Sequence, residues 1–195
     1  MKVLAFLATI PIEGPDERAA AIPSAQAGDL AAFEALMRRH ERLVLVTALR
    51  LVGNMADAQD VSQEVFLRLY RNLDKVEEAR NLPGWLYRVT VNASHDVLRK
   101  RPAADPMEYA AHVPASGLDP QQSTAEAERR RVLEMSLRLL SEKERAALVL
   151  RDLEGLSTEE VARVLGSSEA TVRSQISKAR VKVKGFVERY FRRRT

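Results

Sequence analysis

Apolar residues recur along most of the chain at intervals of three and four, the spacing that gathers them on one face of an α-helix. No stretch reads convincingly as a sheet. Leu30, Phe33, Leu36 and Met37 set the first helical stripe, and Asp29, directly preceding it, suits the cap. A second run, through Leu43, Val46, Leu49 and Val52, stops at Gly53-Asn54. The stripe of Val61, Val65, Leu69 and Leu73 predicts a third helix over about 57–73, whose other side shows Asp60, Gln63, Glu64, Arg68 and Arg71. After a short polar loop, Pro83 suits the first turn of a fourth helix. Its apolar side holds Leu82, Leu86, Val89 or Thr90, Ala93 and Val97, and its other side Trp85, Arg88, Asn92, Asp96 and Arg99.

From 101 to 119 the character changes, because Pro102, Pro106, Pro114, Gly117 and Pro120 break any periodicity. A linker of that length allows two bodies to move independently. Asp119-Pro120-Gln121-Gln122 then offers a helix start, and two capping boxes follow, Ser141 with Glu144 and Ser157 with Glu160. Gly155 and Gly166 are the stops between them. The fold class is therefore all-α: two small helical domains joined by a flexible linker, the second containing a helix-turn-helix. The segments are a leader over 1–26, a first domain over 27–101, a linker over 102–118 and a second domain over 119–195 with a basic tail. Bodies of about seventy residues bury little surface, so each leans on a partner for part of its stability.

The composition narrows the chemistry. The chain has 195 residues and no cysteine, which removes disulfides, thiolate metal sites and cysteine nucleophiles. His40, His95 and His112 lie far apart without ligand spacing, no glycine loop cradles a phosphate, and no nucleophile motif appears. No cofactor, metal or catalytic residue is therefore expected, and the chain does not read as an enzyme. The net charge is +4. The excess is clustered, from Arg173 to the end and again at Arg99-Lys100-Arg101, as for a polyanion partner. Near the amino end, Val3, Leu4, Phe6, Leu7 and Ile10 make an apolar run far short of the ~20 residues that span a bilayer. A signal peptide ending near Ala19-Ala20-Ala21 is the weaker alternative, since Pro11, Glu13, Asp16 and Glu17 interrupt it. No membrane insertion and a cytoplasmic location are expected.

Two segments carry recognition chemistry. A short helix over about 158–165, the turn Gly166-Ser167-Ser168 and a second helix over about 169–184 have the form of a helix-turn-helix. Ala162 permits a close crossing, Val172 and Ile176 point inward, and Arg173, Ser174, Ser177 and Lys178 face outward as residue types that reach bases and phosphates in a major groove. Thr171 belongs to the same set, and Arg151 on the preceding helix is a candidate phosphate contact. The plainer alternative is a helical hairpin with a basic surface. In the first half, Trp85 stands at helical spacing with Arg88 and Asn92 ahead of Arg99 and Lys100, an arrangement suited to stacking on and bonding unstacked bases. The alternative there is that Trp85 is simply core. The loop over 74–82 is a candidate wall for a pocket that takes an extruded base.

Three blocks occur in order: Asp57-Ala58-Gln59-Asp60-Val61-Ser62-Gln63-Glu64-Val65-Phe66, Trp85-Leu86-Tyr87-Arg88-Val89-Thr90-Val91-Asn92, and Gly155-Leu156-Ser157 through Ala170-Thr171-Val172-Arg173-Ser174. With them the chain resembles bacterial RNA polymerase sigma factors of the extracytoplasmic-function (ECF) group, over about 28–184. The resemblance implies that Asp60, Gln63, Glu64 and Arg68 dock on the clamp helices of core RNA polymerase. It also implies that the helix of Trp85 reads the minus-ten element of promoter DNA as the strands part. Asn92 would then lie against a flipped base, and Arg88, Arg99 and Lys100 against phosphates. The helix-turn-helix would read the minus-thirty-five element through Arg151, Thr171, Arg173, Ser174, Ser177 and Lys178, and the linker would thread toward the active-site channel. An anti-sigma factor that covers the polymerase-binding surfaces is a further implied partner. The chain departs from many relatives in having Leu140-Ser141 for Leu-Pro and Gln175 for Arg, and in lacking a large aromatic over 76–82. The rival is a stand-alone helix-turn-helix regulator that binds operator DNA, which leaves the first two blocks without a purpose.

Overall fold

The computed structural model describes residues 21–75, 82–101 and 124–192, and among them no strand occurs. The first half comprises α1 (Ala21–Gln26), α2 (Leu30–Val52), α3 (Met55–Arg71), a 3-10 turn (Leu73–Lys75) and α4 (Leu82–Lys100). The second comprises α5 (Thr124–Arg138), α6 (Glu142–Leu148), a π-helical turn (Val149–Leu153), α7 (Thr158–Leu165) and α8 (Glu169–Arg192).

Local chemistry explains the boundaries. The Asp29 carboxylate accepts from the Ala31 and Ala32 amides at 2.9 and 3.2 Å, meeting amino-terminal donors of α2 that have no helical partner. Gly53 ends that helix at φ 82°, and Asn54 at once caps α3 by accepting from the Asp57 amide at 2.9 Å. Two residues therefore reverse the chain and fold α3 back against α2. The first two predicted runs form the one helix α2, and the predicted start near 57 moves to Met55 because Asn54, read with Gly53 as a stop, also caps the next helix. Both capping boxes form: Ser141 with Glu144 and Ser157 with Glu160. Gly166, at φ 58°, closes α7, a conformation that costs most residues about 1–2 kcal/mol. The proposed cap at Asp119 lies outside the described residues.

Each half has its own core. In the first, Val44 and Ala48 of α2, Val61, Val65 and Leu69 of α3, and Leu82 and Leu86 of α4 are sealed from solvent. Ile22 and Ala25 join them, so residues 21–26, assigned to the leader on sequence, belong to this bundle. In the second half Val149, Leu150, Val161, Val172 and Ala179 are sealed.

The halves are not apart. Leu51 of α2 and Tyr87 and Val91 of α4 are buried in the core of the second half, and α4 packs on α7. The expectation of independently moving bodies did not anticipate this docking. Its cause is a second apolar stripe on α4, one position round from Leu86 and Thr90. Polar groups reinforce it. The carboxyl end of α2 exposes carbonyls without helical donors, and the Arg145 guanidinium donates to the Leu51 carbonyl at 2.5 Å while Arg138 donates to that of Gly53 at 3.0 Å. Cations there also oppose the negative end of the helix dipole. Burial pushes the Arg145 guanidinium below its ordinary pKa, but its further bonds to the Leu137 and Leu140 carbonyls, at 2.9 and 3.3 Å, hold it in place.

Candidate nucleic-acid interface

The helix-turn-helix is built from α7, Gly166-Ser167-Ser168 and the first turns of α8. Val161, Ala162 and Val164 on one side and Val172 and Ile176 on the other are buried between the helices. That registration leaves Thr171, Arg173, Ser174, Ser177 and Lys178 exposed on the outer face of α8. The Ser168 hydroxyl accepts from the Thr171 amide at 3.2 Å and lies 2.9 Å from the Thr171 hydroxyl, which fixes the first turn. Arg173 reaches Glu169 at 3.0 Å, with both side chains largely in water. An exposed pair of this kind contributes about 0–1 kcal/mol, so a phosphate or a base can displace the carboxylate.

The basic run on α8 separates into two groups. Arg180 donates two bonds to Asp152, at 2.9 and 2.6 Å, and Lys182 grips both oxygens of Glu144 at 2.8 and 2.7 Å. The bond to Asp152 holds Arg180 above its ordinary pKa, and the Lys182 ammonium holds the Glu144 carboxyl below the usual carboxylate range. These two cations clamp α8 to the rest of the second half, whereas Arg173 and Lys178 face out. The predicted stop near 184 is passed: α8 runs to Arg192.

The π-helical turn before α7 points its acids in two directions. Bonds from the Glu154 amide to the Val149 carbonyl (2.9 Å) and from the Leu156 amide to the Leu150 carbonyl (3.0 Å) widen the coil. Asp152 then meets Arg180 on α8, while Glu154 meets Arg50 of α2 at 2.7 Å and the Tyr87 hydroxyl of α4 at 3.2 Å. Burial and then the Glu154 charge push the Tyr87 phenol well above its ordinary pKa. Arg151 sits on this turn, half-buried.

On α4, Arg88, Asn92, Arg99 and Lys100 are exposed, with Arg99 bonded to Asp96 at 2.7 Å. Trp85 differs from the expected open platform: it is half-buried, its ring packed against the first core, so only part of it faces out beside Arg88 and Asn92. The cause is its place at the start of a helix whose neighbours Leu82 and Leu86 are sealed in that core. Most of the candidate base-pocket loop, 76–81, lies outside the described residues. On α3, Asp60 and Gln63 are exposed, while Glu64 and Arg68 are half-exposed and paired at 2.6 Å. At the foot of the same helix burial raises the Asp57 carboxyl, but bonds from Arg101 and Asn54 outweigh it and leave the group below its ordinary pKa.

The three predicted sets thus sit on three helices: α3, α4 and α8, the last joined by Arg151 from the π turn. The structure brings together the members of each set but does not join the sets to one another. The groups that the sequence did not mark are Arg50, Tyr87, Glu154, Arg138 and Arg145, all at the junction of the halves. Of these, only Tyr87 left a signal, as an apolar pair with Val91 at i, i+4.

The family model described as Sigma-70 region 2 matches residues 36–103, and that described as Sigma-70, region 4 matches 130–183. The chain is 34% identical over 186 residues to the ECF RNA polymerase sigma factor SigE of Mycolicibacterium smegmatis, covering 92% of this chain and 72% of the relative. It is 33% identical over 178 residues to the ECF RNA polymerase sigma-E factor of Escherichia coli, covering 86% of this chain and 93% of the relative. Among solved structures, CnrH in complex with the cytosolic domain of CnrY is similar with a TM-score of 0.64 at 28% identity, over 86% of this chain and 95% of that one.

Proposed function

The chain belongs to the ECF group of RNA polymerase sigma factors, and from that premise we propose how its parts share the work. Asp60, Gln63, Glu64 and Arg68 dock core RNA polymerase. The α4 strip of Trp85, Arg88, Asn92, Arg99 and Lys100 takes the minus-ten element as it opens. Thr171, Arg173, Ser174, Ser177 and Lys178, with Arg151 on a phosphate, read the minus-thirty-five element. The first module then ends at Arg101, and residues 102–118 serve as the tether to the second, which begins at 119. The observation that carries this reading is the presence of two outward basic faces on two separately cored bodies, only one of them a helix-turn-helix. A regulator that binds operators alone has no use for the first. The chain acts by binding rather than by catalysis, in the cytoplasm; no helix among the described residues is long and apolar enough to cross a membrane.

Geometry adds a requirement. Promoter elements centred near minus ten and minus thirty-five lie about 85 Å apart at 3.4 Å per base pair. With α4 packed directly on α7, and α8 about 36 Å long at 1.5 Å per residue, the docked chain does not reach both. The junction of Arg50, Tyr87 and Glu154 is therefore a resting contact that parts on polymerase. Residues 102–118, about 56–60 Å when extended, supply the reach. An anti-sigma factor that covers the polymerase-binding surfaces is the expected antagonist; the similar CnrH was solved in complex with another chain, the cytosolic domain of CnrY.

The test is reconstitution. The chain added to core polymerase is expected to start transcription at specific promoters, while the chain alone shifts promoter DNA weakly. Tight, sequence-selective binding without polymerase, and no initiation with it, would establish the stand-alone regulator instead.

A further inference from the structure

A groove of about 550 Å³ runs between α2 and α3 and includes Phe33, Met37, Phe66, Leu67 and Tyr70, with Gln63 at its edge. Leu67 and Tyr70 are 43% and 56% exposed, large apolar surface for a helix otherwise polar on its outer side. Phe33 and Tyr70, both in its lining, meet edge to face at 5.2 Å. Neither the second half nor α1 is among the groups lining it.

The chain carries a segment suited to it. Val3, Phe6, Leu7 and Ile10 recur at intervals of three and four, the pattern by which a short helix lays an apolar face into a groove. Their point of attachment is close. α1 is anchored by Ile22 and Ala25, and the Gln26 side chain donates to the Leu73 carbonyl at 2.9 Å, one turn beyond Tyr70. α1 is only about 9 Å long, and residues 11–20 span up to about 33 Å, so the apolar run reaches any part of the groove. The charges on the groove are mixed: Arg38 pairs with Glu34 at 3.4 Å, which leaves Glu41 as the acid placed to meet Lys2, the residue that precedes the run.

We propose that the leader's apolar run, residues 3–10, docks in the α2/α3 groove of its own chain and competes there with core polymerase. The competition rests on the docking role given above to the face of Asp60, Gln63 and Glu64; Gln63 belongs to both surfaces. Occupancy by the leader acts as a tax on polymerase affinity equal to the fraction of chains left open.

The chain has no cysteine, so single cysteines at Phe6 and Leu67 report the contact directly by disulfide formation under mild oxidation. An intramolecular disulfide is expected, abolished when Val3 and Leu7 are changed to Asp in the same chain. In the cysteine-free background, V3D/L7D is expected to bind core polymerase roughly three- to tenfold more tightly, as for a leader docked in about 70–90% of molecules. No disulfide, or one that links two chains instead, overturns the intramolecular docking. A disulfide with unchanged polymerase affinity overturns the competition. If neither form binds polymerase, the docking role of α3 fails, while the disulfide still decides whether the leader occupies the groove.

Discussion

Glu154→Ala is the sharpest test of the resting junction. The carboxylate has 11% of its side-chain surface exposed and receives the Arg50 guanidinium at 2.7 Å and the Tyr87 hydroxyl at 3.2 Å. Breaking a buried pair by removing one partner costs about 3–5 kcal/mol. Arg50 keeps 21% of its side-chain surface, so water takes up part of the stranded charge and the lower figure, about 3 kcal/mol, applies. The Tyr87 hydroxyl, on a residue 5% exposed, loses its acceptor at a further cost of about 1 kcal/mol. Together these lower the ratio of docked to open chains by roughly 500- to 1000-fold, at 1.4 kcal/mol per decade. Cysteines at exposed Arg39 and Arg163, one in each half, take a dye pair for single-molecule energy transfer. The native chain is expected to show one high-transfer population, and Glu154→Ala a broad low-transfer one. Core polymerase should convert the former to low transfer without any mutation. Tyr87→Phe should give an intermediate shift, and Glu154→Ala should add little to it beyond the Arg50 contribution. The reasoning is refuted if Glu154→Ala and the native chain give the same transfer distribution.

Four further outcomes are expected. Ser157→Ala removes a capping box at about 1 kcal/mol, lowering the melting temperature by roughly 2–4 °C in calorimetry. The Glu144 carboxyl, held low by Lys182, adds stability that is present above its unfolded value of 4.5 and is lost as pH falls through its lower folded value. Lys182→Met should flatten that acid loss in urea midpoints measured between pH 5 and 3, and an unchanged slope would count against the clamp. Asn92→Ala should impair open-complex formation, read by permanganate reactivity, more than closed binding, read by gel shift. Arg173→Ala should relax discrimination at the upstream element by about 1–3 kcal/mol per affected base pair, measured on a panel of promoter variants.

Caps, stops and inward faces were legible because each depends on residues within one or two turns. Asp29, Gly53, Ser141, Ser157 and Gly166 all do in the fold what their chemistry requires locally. The outward set on α8 was equally legible, since Val172 and Ile176 can be buried only if Arg173, Ser174, Ser177 and Lys178 face away. What periodicity did not carry was the meeting of the halves. It joins residues about a hundred positions apart, Arg50 to Glu154 and Leu51 to Arg145, and no local pattern encodes such a pairing. Tyr87 and Val91 formed a visible second stripe on α4, but a stripe does not name what covers it. The π-helical turn was invisible for a related reason: its widened coil depends on long hydrogen-bond loops rather than on a breaker residue.

The division of faces also bears on the energetics of opening a promoter. Unstacking DNA costs roughly 1.4 kcal/mol per step on average. In the proposed role of α4, a strip of one partly buried indole, an amide and a few cations would capture a base or two, at about 1–3 kcal/mol for each stacked base. That offsets one or two steps of a longer bubble, so the chain stabilises melted DNA only at its edge and polymerase must hold the remainder. In the role proposed for them, Arg88, Arg99 and Lys100 would add salt-dependent affinity without sequence preference. They favour the duplex and the single strand alike and move the opening equilibrium little. On the proposed assignment, discrimination between promoters would therefore rest on the base-facing positions, Asn92 and the outer face of α8. On the proposed reading, a chain whose halves rest against each other would withhold the paired reading of both elements until polymerase separates them. Promoter choice would thereby be coupled to prior docking rather than to free binding.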